Sequence, residues 1–251
     1  MVLRRSPHGT KAKTAHDMHR EYRVLNARHP HFPYCPRSLT YSEDEAVMGR
    51  HFYAMERIKG IIIRRRVPLE LNLGSTYLRW LAEGLIEVIA ELHAVDAFAV
   101  GLKNLGKPTG YVYRQVDDWS LRYQNARTSD VPDGETVMVW LLDKMSPGSQ
   151  SPAIIHNDFK LDNVVLDSND PLRIIGVLDW EMTTLGDPLM GLACTLAYWM
   201  RADDSADMQP VTAMVINQPS CLTRVEVVEL HEQRTGSWIK STSTIASACS
   251  A

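Results

Sequence analysis

Apolar residues recur along this chain with two different periods, and the switches between them mark out its elements. Val2, Leu3 and Arg4 read as a strand fragment, broken by Ser6-Pro7-His8-Gly9. Ala15, Met18, Tyr22 and Leu25 then fall at the spacing of one helix face. Glu21 stands at the edge of that stripe, where it either reaches inward or lies solvated beside Arg20 and Arg23. Pro30, Pro33 and Pro36 mark a loop, after which Ala46-Val47-Met48 and Phe52-Tyr53-Ala54-Met55, separated by Gly49-Arg50-His51, predict a hairpin. Ser75 or Thr76 is placed to cap a long helix whose Leu78, Leu81, Leu85, Val88 and Leu92 form a core stripe running to His93.

Helical composition returns over residues 119–125 and 137–144, divided by the turn-forming Asp130-Val131-Pro132-Asp133-Gly134. Ile154-Ile155, Val164-Val165-Leu166 and residues 174–178 predict strands, the last two joined by a turn at Ser168-Asn169-Asp170-Pro171. Asp187-Pro188 starts a helix through Leu192, Leu196 and Trp199, and residues 225–230 begin another. Residues 237–251, rich in Ser, Thr and Ala without a periodic apolar face, predict a disordered tail.

Composition narrows the function classes. The chain has 251 residues, 45% of them hydrophobic, enough for a buried core. A formal charge of -3 and a pI near 6.3 give no electrostatic reason for nucleic acid or an anionic membrane as main partner. No apolar run approaches the ~20 residues of a membrane span. Cys35, Cys194, Cys221 and Cys249 are too scattered for a zinc site or a disulfide framework and read as reduced thiols, which points to the cytoplasm. The amino terminus carries Arg4, Arg5, Lys11 and Lys13 without an acid, as a transit peptide does, but no cleavage site follows.

Two stretches concentrate chemistry. The first is His156-Asn157-Asp158-Phe159-Lys160-Leu161-Asp162-Asn163, and the second, one short hairpin later, is Leu178-Asp179-Trp180-Glu181. Phosphoryl transfer needs a carboxylate to orient the attacking hydroxyl, hard oxygen ligands for a metal, and a cation for the phosphate oxygens. Asp158 is the candidate base and Lys160 the cation; Asn163 and Asp179 are the candidate magnesium ligands. His156 reads as a scaffold for the loop, because no second His or Cys stands near enough for zinc. The competing structural reading is an Asx-rich loop whose side chains only satisfy backbone donors. A second phosphate motif, Gly101-Leu102-Lys103-Asn104-Leu105-Gly106-Lys107, meets the first positions of a P-loop, but Pro108 stands where a Ser or Thr is needed.

These motifs, with Gly186-Asp187-Pro188-Leu189 and Leu192-Ala193, resemble the aminoglycoside phosphotransferase family, a branch of the protein kinase-like fold. Arg20-Glu21-Tyr22, Phe52-Tyr53-Ala54-Met55-Glu56, Gly110-Tyr111, Arg114-Gln115, Trp119 and Ala197-Tyr198-Trp199 narrow the likeness to the kinase-like domain fused to some acyl-CoA dehydrogenases and its free-standing bacterial relatives. The resemblance spans about residues 2–236 and implies an α+β, two-lobed fold with a mainly helical C-terminal lobe. It places an incomplete N-terminal nucleotide lobe and hinge at 1–58 and the catalytic lobe at 59–236. It also implies ATP and Mg2+ as cofactors, with Met55, Glu56 and Arg57 as the hinge beside adenine. Arg4 and Glu21 match the basic residue that holds nucleotide phosphates and the helix glutamate that holds it; Arg stands for the usual Lys.

Three departures accompany the likeness. The family's opening hairpin over the phosphates does not precede Val2, Gly191 stands where the family usually has a bracing Asp, and the likeness stops near Gly236, so the chain reads as truncated at both ends. The expected activity is transfer of the ATP γ-phosphate to a hydroxyl of a small molecule, with a hydroxyacyl-CoA as one acceptor. The alternative is an impaired kinase-like module that binds nucleotide or a partner without turnover, and a third reading is a non-functional product of a misassembled reading frame.

Overall fold

The computed structural model describes residues 1–6, 17–28, 31–64, 67–68, 71, 74–149, 151–201, 203–205, 215–216, 218 and 220–236. The tail predicted at 237–251 lies outside them, as do Ala15, Pro30 and Cys249. The first strand, β1 (Val2–Arg5), is where the sequence pattern places it, and the helix that follows is α1 (Met18–Arg28). Strands β2 (Ser38–Ser42) and β3 (Phe52–Met55) complete an antiparallel sheet in the order β1-β3-β2, with Arg4 opposite Tyr53. Met18, Val24 and Leu25 bury α1 against this sheet.

The predicted hairpin is corrected here. Residues 46–48 are not its first arm; they lie in α2 (Glu45–Met48), a single turn capped by the Asp44 carboxylate on the Ala46 N–H and closed by Gly49 at φ 73°. None of its residues is buried, so nothing holds them in a sheet. The partner of β3 is the polar strand β2, whose Leu39 is itself exposed.

From β3 the chain crosses to a helical lobe through residues 56–61. Glu56 N–H donates to Arg37 O at 2.9 Å, and Ile61 exchanges two backbone hydrogen bonds with Leu166. A side chain at Gly60 would overlap the Leu166 carbonyl, so this crossing is a close backbone approach that only glycine permits.

The second lobe is organised around α3 (Ser75–Ala94), whose Leu78, Leu81, Leu85, Val88 and Leu92 are all buried. Its N-cap is Gly74, not Ser75 or Thr76, and no side chain accepts from the first turn. Helix α4 (Tyr111–Ala126) begins eight residues before the predicted 119–125, and α5 (Glu135–Lys144) follows the predicted turn. Strands β4 (Ala153–Ile155) and β7 (Thr184–Gly186) pair antiparallel, as do β5 (Val164–Leu166) and β6 (Ile174–Val177).

Helix α6 (Pro188–Leu196) starts on an Asp187 cap and stops short of the predicted Trp199. There the backbone tightens into i→i−3 bonds from Tyr198 to Thr195 and from Trp199 to Leu196. Helix α7 (Arg224–Thr235) opens on a Thr223–Glu226 capping box and packs on α3. No described helix is long and apolar enough to cross a membrane.

The P-loop candidate is a run of turns with neither strand before nor helix immediately after it. A Cβ at Gly106 would overlap Thr184 Oγ1 and lie 2.8 Å from Leu185 O, so this glycine lets the loop press against β7.

Candidate active site

The β5–β6 hairpin assembles the site. Val164 pairs with Val177, and the Leu178 N–H donates to Asn163 O at 2.7 Å, so the residue entering β5 and those leaving β6 arrive side by side. Asn163 and Asp179, remote in sequence, are thereby brought to the same hairpin end. Strand β4 delivers His156, buried to 1% exposure, whose Nε2 lies 2.9 Å from Leu178 O while its Nδ1 lies 3.3 Å from the Asp158 amide. Those partners select the neutral tautomer with its proton on Nε2. Asn157 adopts φ 64°, and its Nδ2 donates to Met182 O at 3.0 Å. His156 and Asn157 thus tie the turn to the residues that follow β6.

Asp158 is held from two sides. Lys160 Nζ donates to Oδ1 at 2.8 Å, and Asn163 Nδ2 donates to Oδ2 at 2.9 Å and to the Asp158 carbonyl at 2.8 Å. The Asn163 amide oxygen therefore points away from Asp158. Burial opposes the Lys160 charge, but Asp158 more than offsets it and the pKa is raised.

Across the cleft, Arg4 gathers three acids. Its Nη1 donates to Glu21 Oε1 at 2.8 Å and Asp179 Oδ1 at 2.9 Å, and its Nη2 to Glu181 Oε2 at 3.3 Å. Burial works against the guanidinium charge, yet Glu21 and Asp179 hold it more firmly protonated than usual. Glu21 is 2% exposed, which excludes the solvated reading. Its pKa is pushed up to about 6, first by burial, with Arg4 opposing and Asp179 and Glu181 adding repulsion. The Tyr53 hydroxyl is buried against Glu21, and its interaction with the carboxylate also holds the Glu21 pKa down.

The remaining predicted residues lie at the crossing. Met55 is buried at the end of β3, Glu56 is half-buried and Arg57 is exposed. The position of Gly191, where the resemblance expects a bracing Asp, is crowded: a Cβ there would stand 2.8 Å from Ile155 Cγ2 and 3.1 Å from His93 Nε2, leaving little room for a carboxylate.

Sequence reasoning assigned no role to three further residues. Arg20 reaches the carbonyls of Thr183 (2.6 Å), Leu105 (3.2 Å) and Glu181 (3.4 Å), pinning the segment after Asp179. Glu181 is the third acid on Arg4, and Tyr198 lies under Lys160. Arg20 and Glu181 stand inside the motifs Arg20-Glu21-Tyr22 and Leu178-Asp179-Trp180-Glu181, which was the available signal. Tyr198 had none beyond its place in the Ala197-Tyr198-Trp199 resemblance.

Among the described residues no cluster of three or more His, Cys, Asp or Glu side chains could hold a metal. One carboxylate and one amide oxygen, from Asp179 and Asn163, instead suit magnesium, which keeps waters and takes phosphate oxygens as its other ligands.

A family model described as phosphotransferase enzyme family matches residues 1–214. The chain belongs to this family. As a member of the phosphotransferase enzyme family it is 36% identical to acyl-CoA dehydrogenase family member 11 of Gallus gallus over 199 residues, 79% of this chain and 25% of the relative. It is 34% identical to the Homo sapiens member 11 over 221 residues, covering 87% and 27%. The chain thus spans about a quarter of these relatives' length.

A Ralstonia eutropha crystal structure assigned as an aminoglycoside phosphotransferase superposes with TM-score 0.78 at 27% identity, over 98% of this chain and 72% of that one. Aminoglycoside phosphotransferase APH(3'')-Id of Streptomyces rimosus, in complex with ADP and streptomycin, shares the fold with TM-score 0.58 at 15% identity, over 99% and 86%. The two-lobed protein kinase-like fold is therefore that of this family.

Proposed function

We propose that this member of the phosphotransferase enzyme family moves the γ-phosphoryl group of ATP to a hydroxyl of a small molecule. The observation that carries the reading is the convergence of Asp158, Lys160, Asn163 and Asp179 at one end of the β5–β6 hairpin. In this reading residues 1–58 form the nucleotide lobe and hinge, and 59–236 the catalytic lobe. The Glu56 amide is engaged by the Arg37 carbonyl, so within the hinge of Met55, Glu56 and Arg57 it is the other backbone groups that would meet adenine.

When bound, magnesium and ATP supply the neutralising charge and the transferred group. Asn163 and Asp179 would hold the metal through oxygen, and Arg4, positioned by Glu21, would meet phosphate oxygens. Asp158 orients the acceptor hydroxyl and receives its proton, while Lys160 offers its ammonium to the transferred phosphate. A Lys at the Arg4 position would be a point charge; the Arg fork instead reaches three carboxylates at once.

The acceptor we infer is a hydroxyacyl-CoA, because the curated relatives named above are acyl-CoA dehydrogenase family members, so that an acyl-CoA is a natural substrate class for a domain that accompanies them. The test is ADP release from ATP-Mg with hydroxyacyl-CoA, aminoglycoside and amino-alcohol acceptors in parallel. Turnover with the hydroxyacyl-CoA above the other two supports the reading, and no ADP with any of them refutes it. One observation favours the alternative of binding without turnover: Arg4 occupies Asp179 Oδ1 at 2.9 Å, where a metal would bind. Calorimetric binding of ATP-Mg without ADP release would select it.

A further inference from the structure

Helix α6 sets a second wall beside the catalytic loop. Cys194 lies in its last turn, and Tyr198 in the tighter i→i−3 turn that follows Leu196. Cys194 Sγ lies 4.0 Å from Asn157 Oδ1, and the Tyr198 ring centroid lies 4.8 Å from Lys160 Nζ. Tyr198 is not free to drift. Its neighbours Trp199 and Met200 are buried, and Trp199 Nε1 donates to Leu222 O at 2.9 Å, fixing the turn that carries the ring.

Lys160 has a flexible four-carbon stem and one close anionic partner, Asp158. An ammonium over the face of a phenol ring is held by the ring quadrupole as well. The same tyrosine is coupled to Asp158: burial, then the Asp158 carboxylate, raise the Tyr198 pKa. Lys160 and Asp158 are thus flanked on one side by Asn163 and on the other by Tyr198.

We propose that Tyr198 is a positioning residue of the phosphotransfer centre, its ring holding the Lys160 ammonium against Asp158. The inference rests on the reading of the site as a phosphotransferase centre. Tyr198 acts on the centre by its ring through Lys160 and by its hydroxyl through Asp158, not on the transferred group itself. Loss of the ring lets the ammonium disperse, so the chemical step slows while ATP-Mg binding, made elsewhere in the cleft, is retained.

Two readouts test it. In protein labelled with 13C-lysine, the Lys160 ε-methylene protons, assigned through Lys160→Met, should lie upfield of the other lysines because the ammonium they adjoin sits over the Tyr198 ring. Tyr198→Phe should keep that displacement and Tyr198→Leu should abolish it. In ATP-Mg turnover, followed as ADP release with water or a working acceptor, Tyr198→Leu should lower kcat about tenfold with the KM for ATP-Mg changed less than about twofold. Tyr198→Phe should fall between it and the parent, since it keeps the ring and loses the hydroxyl.

An undisplaced Lys160 resonance in the parent protein overturns the geometry. Displacement that is lost in Tyr198→Leu without a fall in kcat overturns the positioning role alone, and so does an equal loss in the Phe and Leu variants. If the parent releases no ADP at all, the phosphotransfer reading itself fails and takes this role with it. Should Tyr198→Leu fail to fold, the Phe variant still decides, because retention of the shift with most of kcat is expected of it.

Discussion

Replacing Glu21 with Gln isolates the electrostatics on which the Arg4 contact depends. Glu21 is 2% exposed, and its pKa rises from 4.5 to about 6 because burial outweighs the attraction of Arg4. A carboxyl whose folded pKa lies above its unfolded value favours folding in its protonated form. Its stabilising contribution is therefore complete below pH 4.5 and is lost as the pH rises through 6. The difference of roughly 1.5 pKa steps corresponds to about 2 kcal/mol at 1.36 kcal/mol each. Glu21→Gln removes this linkage while preserving size and one acceptor for Arg4. The assay is urea unfolding of both proteins at pH 4.5 and pH 7.5. On going from the lower to the higher pH the parent should lose about 2 kcal/mol relative to the variant, whatever the two have in common. Parallel pH dependences would show that Arg4 compensates the burial fully, and the argument for a carboxylate strained by desolvation would fail.

His231 is predicted to act with the opposite sign. It is buried beside His93, its ring nitrogen 3.0 Å away, and burial lowers its pKa from 6.5 to about 4. The folded state thus favours neutral imidazole, with stability complete above pH 6.5 and lost as the pH falls toward 4. His231→Gln should remove about 3 kcal/mol of acid destabilisation over that window, measured as a difference between unfolding curves. Gly106→Ala should destabilise by about 1–3 kcal/mol, because its methyl group meets Thr184 and Leu185 of β7, while leaving the affinity for ATP-Mg within about twofold. A selective loss of nucleotide binding in that variant, read by calorimetry with stability intact, would restore the P-loop reading of residues 101–107.

Much of the candidate catalytic turn was legible because its members are neighbours in sequence. Asp158, Lys160 and Asn163 occupy one turn, and the short apolar runs at Val164-Val165-Leu166 and 174–178 predict the hairpin that returns the chain to Asp179. The α3 stripe was legible for a similar reason: its period is local and every member is buried. Strand β2 was not, since a strand on the sheet edge with Leu39 exposed lacks the in-and-out apolar alternation that marks a half-buried strand. Residues 46–48 carried a stronger apolar signal, yet Asp44 and Gly49 close them into a turn. The depth of Glu21 was undecidable from its own helix, because what buries it is the β1–β3 sheet and what pairs it is Arg4. Tyr198 was invisible for the same reason, its partner Lys160 lying on a segment far from it in sequence.

The central claim is that Asp158 serves the chemical step and not the binding of nucleotide. Its most direct test is Asp158→Asn, assayed for ADP release and, by calorimetry, for ATP-Mg binding on the same preparation. The account predicts a fall in turnover of about 10²–10⁴ with nucleotide affinity changed by no more than a few-fold. Undiminished turnover in Asp158→Asn, from a protein that folds and binds ATP-Mg as the parent does, would contradict it.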